Sequence, residues 1–203
     1  MLTYLFLLQK IAKHENWSNF TAKVLNAHDL SSLTPDSYTH TVTSFLLPLI
    51  PTPHKAVQEL YRVTKPGGIL GVANWAQPRF IFYPNWEKAC QSLDPEYKMP
   101  DMMDPYWCHA ETIKEGLEKE GFKDVVVKVQ EYPWEWDNTE EFVKYIFEGG
   151  NPVVTETLVQ PWREKGEGKL EELRKRVVGQ WERDMGKGKL VMQVKVAFAL
   201  GRK

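Results

Sequence analysis

The chain has 203 residues, a formal net charge of −1 and a sequence pI near 6.5. This length favours a single domain with a sizeable core, and the near-neutral charge gives no basic field for nucleic acid or an anionic membrane surface. The two cysteines, Cys90 and Cys108, have neither CxxC nor metal-ligand spacing. They favour reduced thiols in a cytoplasmic protein over a disulfide framework.

The amino-terminal residues 2–8 are apolar but do not identify their own structure. They lack a basic flank and a small-residue cleavage site, so a secretory signal peptide is not expected. The run is also much shorter than the roughly 20 residues that a membrane-spanning helix requires. A buried helix and a buried strand both fit, because periodicity does not separate them in so short a run.

The central unit of the predicted fold runs from residue 38 to residue 75. Residues 40–47 form a short, apolar run rich in β-branched side chains, and a proline-punctuated loop follows. Beyond Pro53, apolar residues recur at helical spacing until the Lys-Pro-Gly-Gly at residues 65–68, which predicts a tight turn. Residues 69–75 return to a strand pattern. A strand–helix–strand unit of this length predicts a right-handed crossover between parallel strands.

The other elements follow from the same two periodicities. Residues 20–26 alternate between apolar and polar side chains and predict a strand. Residues 111–120 predict an amphipathic helix, and residues 124–129 predict the strand after it. Three more helices are predicted, at residues 85–92, around Phe142 and at residues 170–181. A last strand is predicted at residues 190–200.

The central unit resembles a known family at specific residues. The run Glu59-Leu60-Tyr61-Arg62-Val63, followed by the turn at residues 65–68, is similar to the "L-x-E-x-x-R-V-L-K-P-G-G" turn of class I S-adenosylmethionine-dependent methyltransferases. The strand end Val42-Thr43-Ser44-Phe45-Leu46-Leu47 and the upstream residues 26–30 strengthen the match to the small-molecule, methyltransferase-11-like group. The resemblance covers residues 10–130 well.

The resemblance implies both a fold and a reaction. The fold is an α/β, Rossmann-like sheet, mostly parallel with an antiparallel last strand, within one domain spanning residues 1–203. The cofactor is S-adenosylmethionine, and the reaction is methyl transfer to a small-molecule substrate. Residues 76–108 and 137–188 then correspond to the lid and helices on the substrate side. Their many aromatic residues suggest a mid-sized, largely apolar substrate such as a secondary metabolite.

The resemblance also implies cofactor contacts. Asn26 and Ala27, with His28 next to them, occupy the positions that hold the adenine, and Ser44, Phe45 and Leu46 occupy the positions that line the methionine side. Two alternatives stay open. Asn26 can simply end a strand beside an Asp29 turn, and Phe45 and Leu46 can be core residues.

Substrate contacts are predicted at Trp75, Tyr83 and Trp107. The alternative is that these aromatic side chains bury one another and seal the core. His109 and His28 are candidates for a general base where the nucleophile must lose a proton. The five histidines show no metal-ligand spacing, so no metal site is predicted.

The sequence departs from the family upstream of the central unit. The family binds the cofactor with a glycine-rich turn after its first strand and an acidic residue that ends its second. No glycine precedes Gly67 in this chain, and no acidic residue ends a second-strand pattern. We therefore expect the first two strands to be lacking. An incomplete methyltransferase is favoured over a catalytically inactive scaffold, with a protein partner or oligomer that completes the sheet as a further interpretation.

Overall fold

The fold is built on one four-stranded sheet. The computed structural model describes the backbone of residues 2–203 and the side chains of residues 8–203. The sheet order is β1-β2-β4-β3, in which only β4 runs opposite to the other three strands. The predicted mostly parallel sheet with an antiparallel last strand is confirmed. The strands are β1 (Tyr38–Ser44), β2 (Thr64–Trp75), β3 (Lys123–Trp136) and β4 (Leu190–Arg202).

The Lys-Pro-Gly-Gly sequence lies inside β2 rather than in a separate turn before it. The pairing of β1 with β2 jumps from Tyr38–Thr64 to His40–Ile69, so residues 65–68 form a wide bulge. Gly67 has a φ of +77°, and its N–H donates to the carbonyl oxygen of Lys203 at 2.8 Å. The bulge is therefore hydrogen-bonded to Lys203, the residue that follows β4.

Two groups of helices cover opposite faces of the sheet at opposite ends. Helices α2 (Pro53–Val63) and α4 (Ala110–Lys119) pack over a core that includes Leu70 and Ala199. The other core includes Met192, whose side chain leaves β4 on the opposite face because strand side chains alternate. The helices that surround it are α3 (Tyr83–Gln91), α5 (Thr139–Phe147) and α8 (Glu167–Met185).

A continuous helical stretch at residues 152–164 connects α5 to α8. It comprises α6 (Pro152–Val154), a π-helical segment (Thr155–Val159) and α7 (Gln160–Glu164). Pro161 has no N–H to donate, which accounts for the irregular turn just before it.

The prediction of a strand at residues 20–26 was wrong. Residues 20–25 form no regular structure, and Asn26 makes one isolated bridge to Asp29. An alternating pattern forms a strand only when a neighbouring strand takes its backbone hydrogen bonds, and the described chain offers none here. Phe20 and Val24 consequently remain exposed.

The amino-terminal apolar run is helical, which settles the ambiguity between helix and strand. Helix α1 spans Leu2–His14. Both alternatives predicted a buried element. The side chains of residues 2–7 lie outside the described set, and Leu8 and Ile11 are exposed. Within residues 2–203, no helix has both the length and the apolar character needed to cross a bilayer.

Candidate active site

The backbone of Phe45 is unusual at the carboxyl end of β1. Its φ is +50°, in the left-handed region that bulky residues rarely adopt. Its N–H donates to the carbonyl oxygen of Ala73 at 2.7 Å, so the chain is still tied to β2 where it turns. The Phe45 ring lies 4.4 Å from the Trp75 ring. Such conformations cluster at functional sites, which makes this strand end a candidate.

An apolar cavity of about 300 Å³ opens at this place. It lies beyond the carboxyl ends of the parallel strands β1 and β2, where open α/β sheets bind their ligands. Its wall combines residues from both strand ends, the following loops and the start of the helical stretch at residues 152–164. The lining residues are Phe45, Leu49, Trp75, Phe80, Tyr83, Met102, Met103, Asn151, Val153 and Val154.

The described residues that line the cavity include no charged side chain. The hydroxyl of Tyr83 donates to the sulfur of Met102 at 3.2 Å. Burial raises the pKa of the Tyr83 phenol well above its ordinary value, so the hydroxyl stays protonated. The cavity therefore offers no counter-ion to an anionic ligand group and suits a largely apolar one.

The predicted adenine segment forms a compact turn. Asn26 Oδ1 accepts from the backbone N of His28 at 3.0 Å, and Asp29 Oδ1 accepts from the backbone N of Ser31 at 3.0 Å. The Asp29 bond matches the alternative of an Asp29 turn, whereas Asn26 ends no strand and stabilises a turn of its own. His28 Nε2 is buried and has no hydrogen-bond partner in the described part of the chain.

The motif residues Glu59 and Arg62 hold this segment against α2. Arg62 Nη2 donates to the carbonyl of Leu30 at 2.7 Å and Nη1 to that of Leu33 at 3.0 Å, while Glu59 Oε2 accepts from the Leu30 N–H at 2.7 Å. Arg62 also donates to Glu59, and this hydrogen bond lowers the pKa of the Glu59 carboxyl. The family-like pair thus positions the loop that carries the predicted adenine contacts.

The cavity brings together three of the predicted site residues, namely Phe45, Trp75 and Tyr83. The other predicted residues are not among those that line it. Trp107 is fully buried in the core under α4, and His109 is exposed just before that helix. The structure thus places Trp107 among the residues that seal the core. The predicted residues outside the lining are Asn26, Ala27, His28, Ser44, Leu46, Trp107 and His109.

Sequence reasoning missed Asn151 and the valines that follow it. The sequence predicted only that residues 137–188 lie on the substrate side, and no local pattern distinguished Asn151 there. A proline directly after an asparagine is a helix-start signal that could have drawn attention to the position. The structure brings this position to the same wall as Phe45, more than 100 residues earlier in the chain.

Neither cysteine is a candidate nucleophile. Cys90 and Cys108 are buried free thiols, and burial raises the pKa of each to about 12. A thiol with such a pKa carries almost no reactive thiolate near neutral pH. Among the described residues, no cluster of three or more histidine, cysteine, aspartate or glutamate side chains could hold a metal ion.

Comparison with known proteins relates part of the chain to methyltransferases. Residues 6–72 match the methyltransferase domain family. The chain is 30% identical over 112 residues to methyltransferase ucsB of Acremonium sp., covering 55% of this chain and 37% of that protein. It is 28% identical over 121 residues to methyltransferase tpcH of Aspergillus fumigatus, covering 58% of this chain and 43% of that protein. The chain thus spans about two fifths of the length of these relatives.

Solved structures support the same fold. The YcgJ protein of Bacillus subtilis superposes with a TM-score of 0.55 at 12% identity, covering 98% of this chain and 77% of that one. The MccD protein superposes with a TM-score of 0.53 at 17% identity, covering 99% and 76%. At these identities the likeness concerns the fold alone. Part of the chain is thus similar to the methyltransferase domain and to known methyltransferases, and its sheet shares the fold of these solved structures.

Proposed function

We propose that the chain takes part in transferring the methyl group of S-adenosylmethionine to a small, largely apolar organic molecule. The observation that carries this proposal is the aromatic cavity in which Phe45 and Trp75 meet at the carboxyl ends of β1 and β2. A secondary metabolite is the substrate class that we favour. The two fungal methyltransferases among the relatives are compatible with that choice.

The residues present fit the cofactor at two places. S-adenosylmethionine supplies an electrophilic methyl group on a positively charged sulfur when it is bound, and the rings of Phe45 and Trp75 suit such a cation. His28 offers a buried ring nitrogen without a partner in the described chain, beside Asn26 and Ala27 at the predicted adenine position. Ser44 and Leu46 remain predicted contacts of the methionine side. We assign no ribose or carboxylate contact, because no glycine precedes Gly67.

The role that we propose for the residues of this chain is to position the substrate. Methyl transfer is an in-line displacement, and an enzyme accelerates it chiefly by holding the nucleophile close to the methyl group. A rigid aromatic wall can orient an apolar substrate in this way. His28 and His109 stay candidates for a general base, although neither lines the cavity. We keep a cytoplasmic location as a prediction, supported by the two buried free thiols.

Calorimetric titration of the folded chain with S-adenosylmethionine and S-adenosylhomocysteine tests the proposal. We expect micromolar binding, about −8 kcal/mol, and a clear loss in Trp75→Ala. Trp134→Ala is a matched control, because Trp134 packs beside the helical core and does not line the cavity. A folded chain that binds neither compound would contradict the proposal.

A second candidate function is a methyltransferase-like scaffold that acts through protein contacts. The observation that favours it is an uncovered sheet face on which Val42, Gly71, Leu200 and Val126 are neighbours across all four strands. Val42 is 73% exposed, Leu200 57% and Val126 65%. The edge strand β1 also lacks the charged residues and proline that usually protect an edge.

The scaffold function predicts that a second copy of the chain covers this surface. Sedimentation velocity of the wild type and of Leu200→Lys distinguishes the two functions. A dimer that Leu200→Lys dissociates, in a chain that binds no cofactor, supports the scaffold. A monomer at all accessible concentrations contradicts self-association.

A further inference from the structure

Asn151 is one of the residues that line the cavity, together with Phe45 and Trp75. Its Oδ1 accepts a hydrogen bond of 3.2 Å from the backbone N of Val154. An N–H donor requires the oxygen half of an amide, so this bond fixes the orientation of the side chain. Nδ2 keeps both hydrogens, and no acceptor for it lies within the described backbone of residues 2–203 or side chains of residues 8–203.

The surroundings of Asn151 select against negative charge. The nearby Tyr83 hydroxyl already donates its hydrogen to Met102, and no described residue lining the cavity is charged. A negatively charged ligand group would therefore lose its hydration without gaining a counter-ion. An uncharged oxygen on an apolar body avoids that cost and can accept from Asn151 Nδ2.

We propose that Asn151 is a specificity-determining residue that selects substrates with an uncharged acceptor oxygen, such as a ketone, quinone or ether, on an apolar body. This inference rests on the proposed function of the cavity as the substrate site. It adds the polar group that the substrate must present. It also predicts that carboxylates and phosphates of similar size are rejected.

Binding of two nearly isosteric probes tests the inference. In 2-acetonaphthone a carbonyl oxygen occupies the place of the terminal CH₂ of 2-isopropenylnaphthalene, so the pair differs chiefly in the acceptor. Equilibrium dialysis against the full chain should show the ketone binding about three- to tenfold more tightly, the size expected for one hydrogen bond. No S-adenosylmethionine is present in this experiment, so its outcome does not depend on whether the chain binds the cofactor.

Two aspartate variants identify the residue responsible. Asn151→Asp keeps the oxygen that caps the helix but removes the donor, and it should abolish the preference for the ketone. Asn138→Asp is the matched control, because Asn138 Oδ1 caps α5 by accepting from the Glu141 N–H at 2.9 Å and lies outside the cavity. It should keep the preference.

Two results would overturn the inference: equal binding of both probes by the wild type, or a preference that survives in Asn151→Asp. Should that variant fail to fold, the wild type provides a second measurement. The side-chain amide signal of Asn151 in a ¹H–¹⁵N spectrum must shift with the ketone and stay in place with the hydrocarbon. A signal that responds equally to both probes also overturns the inference.

Discussion

The ring centroids of Phe45 and Trp75 lie 4.4 Å apart, with their planes tilted by 41°, just beyond the last residue pair that joins β1 to β2. The contact accompanies a left-handed Phe45 backbone, with a φ of +50°. That conformation costs an ordinary residue about 1–2 kcal/mol. The packing of the ring therefore holds a strained strand end in the shape that forms the cavity.

Replacing Phe45 should separate the backbone strain from the ring contact. Both Phe45→Ala and Phe45→Gly remove the ring, but only glycine adopts a φ of +50° without strain. We expect Phe45→Gly to be more stable than Phe45→Ala by about 1–2 kcal/mol in urea unfolding.

Phe80 provides the control for this comparison. Its ring contacts Trp75 at 4.9 Å, but its backbone is not in the left-handed region. There the order should reverse, with Phe80→Gly less stable than Phe80→Ala by about 0.4–1 kcal/mol, because glycine gains more entropy on unfolding. Equal stability of the two Phe45 variants would contradict the assignment of strain.

Two glycines of β2 should respond in opposite ways to an added methyl group. A Cβ at Gly68 would meet the carbonyl oxygens of Lys65 and Thr39 at 2.8 Å, so Gly68→Ala should cost about 1–3 kcal/mol. A Cβ at Gly71 would meet nothing nearer than 3.6 Å, on the exposed sheet face. Gly71→Ala should therefore stabilise the fold by about 0.4–1 kcal/mol. Thermal or urea unfolding measures both, and a stabilising Gly68→Ala would refute the described bulge.

The Glu59–Arg62 pair should make stability depend on acidic pH. Because Arg62 lowers the pKa of Glu59 in the folded chain, the stabilisation is complete above the ordinary carboxyl pKa of 4.5 and is lost as the pH falls through the lowered value. Glu59→Gln should be less stable than the wild type near neutral pH, and this difference should shrink on acidification. Urea unfolding across that range measures the difference.

Glu118→Gln is the control for the acid dependence. Glu118 pairs with Lys114 one turn away on the exposed side of α4, and such surface pairs contribute less than ~0.5 kcal/mol. If the difference in free energy of unfolding between the wild type and Glu59→Gln does not change with pH, the pair contributes packing rather than charge.

Arg62→Lys should also loosen the loop, because lysine cannot reproduce the contacts to Glu59, Leu30 and Leu33 together.

Most of the regular structure could be predicted because its periodicity is local. The helical spacing at residues 111–120 buries one face of α4, and the alternation at residues 190–200 matches the strand β4. The buried face of β4 changes between Val196 and Ala197, beyond which Phe198 and Leu200 are exposed. Residues 20–26 show why such patterns fail elsewhere. Residues 20–24 alternate in the same way, but a strand also needs a neighbour, and a local pattern carries no information about that neighbour.

The candidate site was predictable only in part for a related reason. The family-like strand ends pointed to Phe45 and Trp75, which are close in the crossover unit. Asn151 and Met102 join them through packing between distant segments, and no local periodicity records that packing. The left-handed φ of Phe45 was equally invisible, because bulky residues give no sequence signal for it.

The most direct test of the account is the discrimination between S-adenosylmethionine and S-adenosylhomocysteine, measured by calorimetry in the wild type and in Trp75→Leu. The two compounds differ at the reacting sulfur, which is positively charged only in the first. If the Phe45–Trp75 wall faces that sulfur, the variant should lose about two- to thirtyfold of the preference for the charged compound, the range of a cation–π contact. An unchanged preference in Trp75→Leu, or no binding of either compound to the folded wild type, would contradict the account.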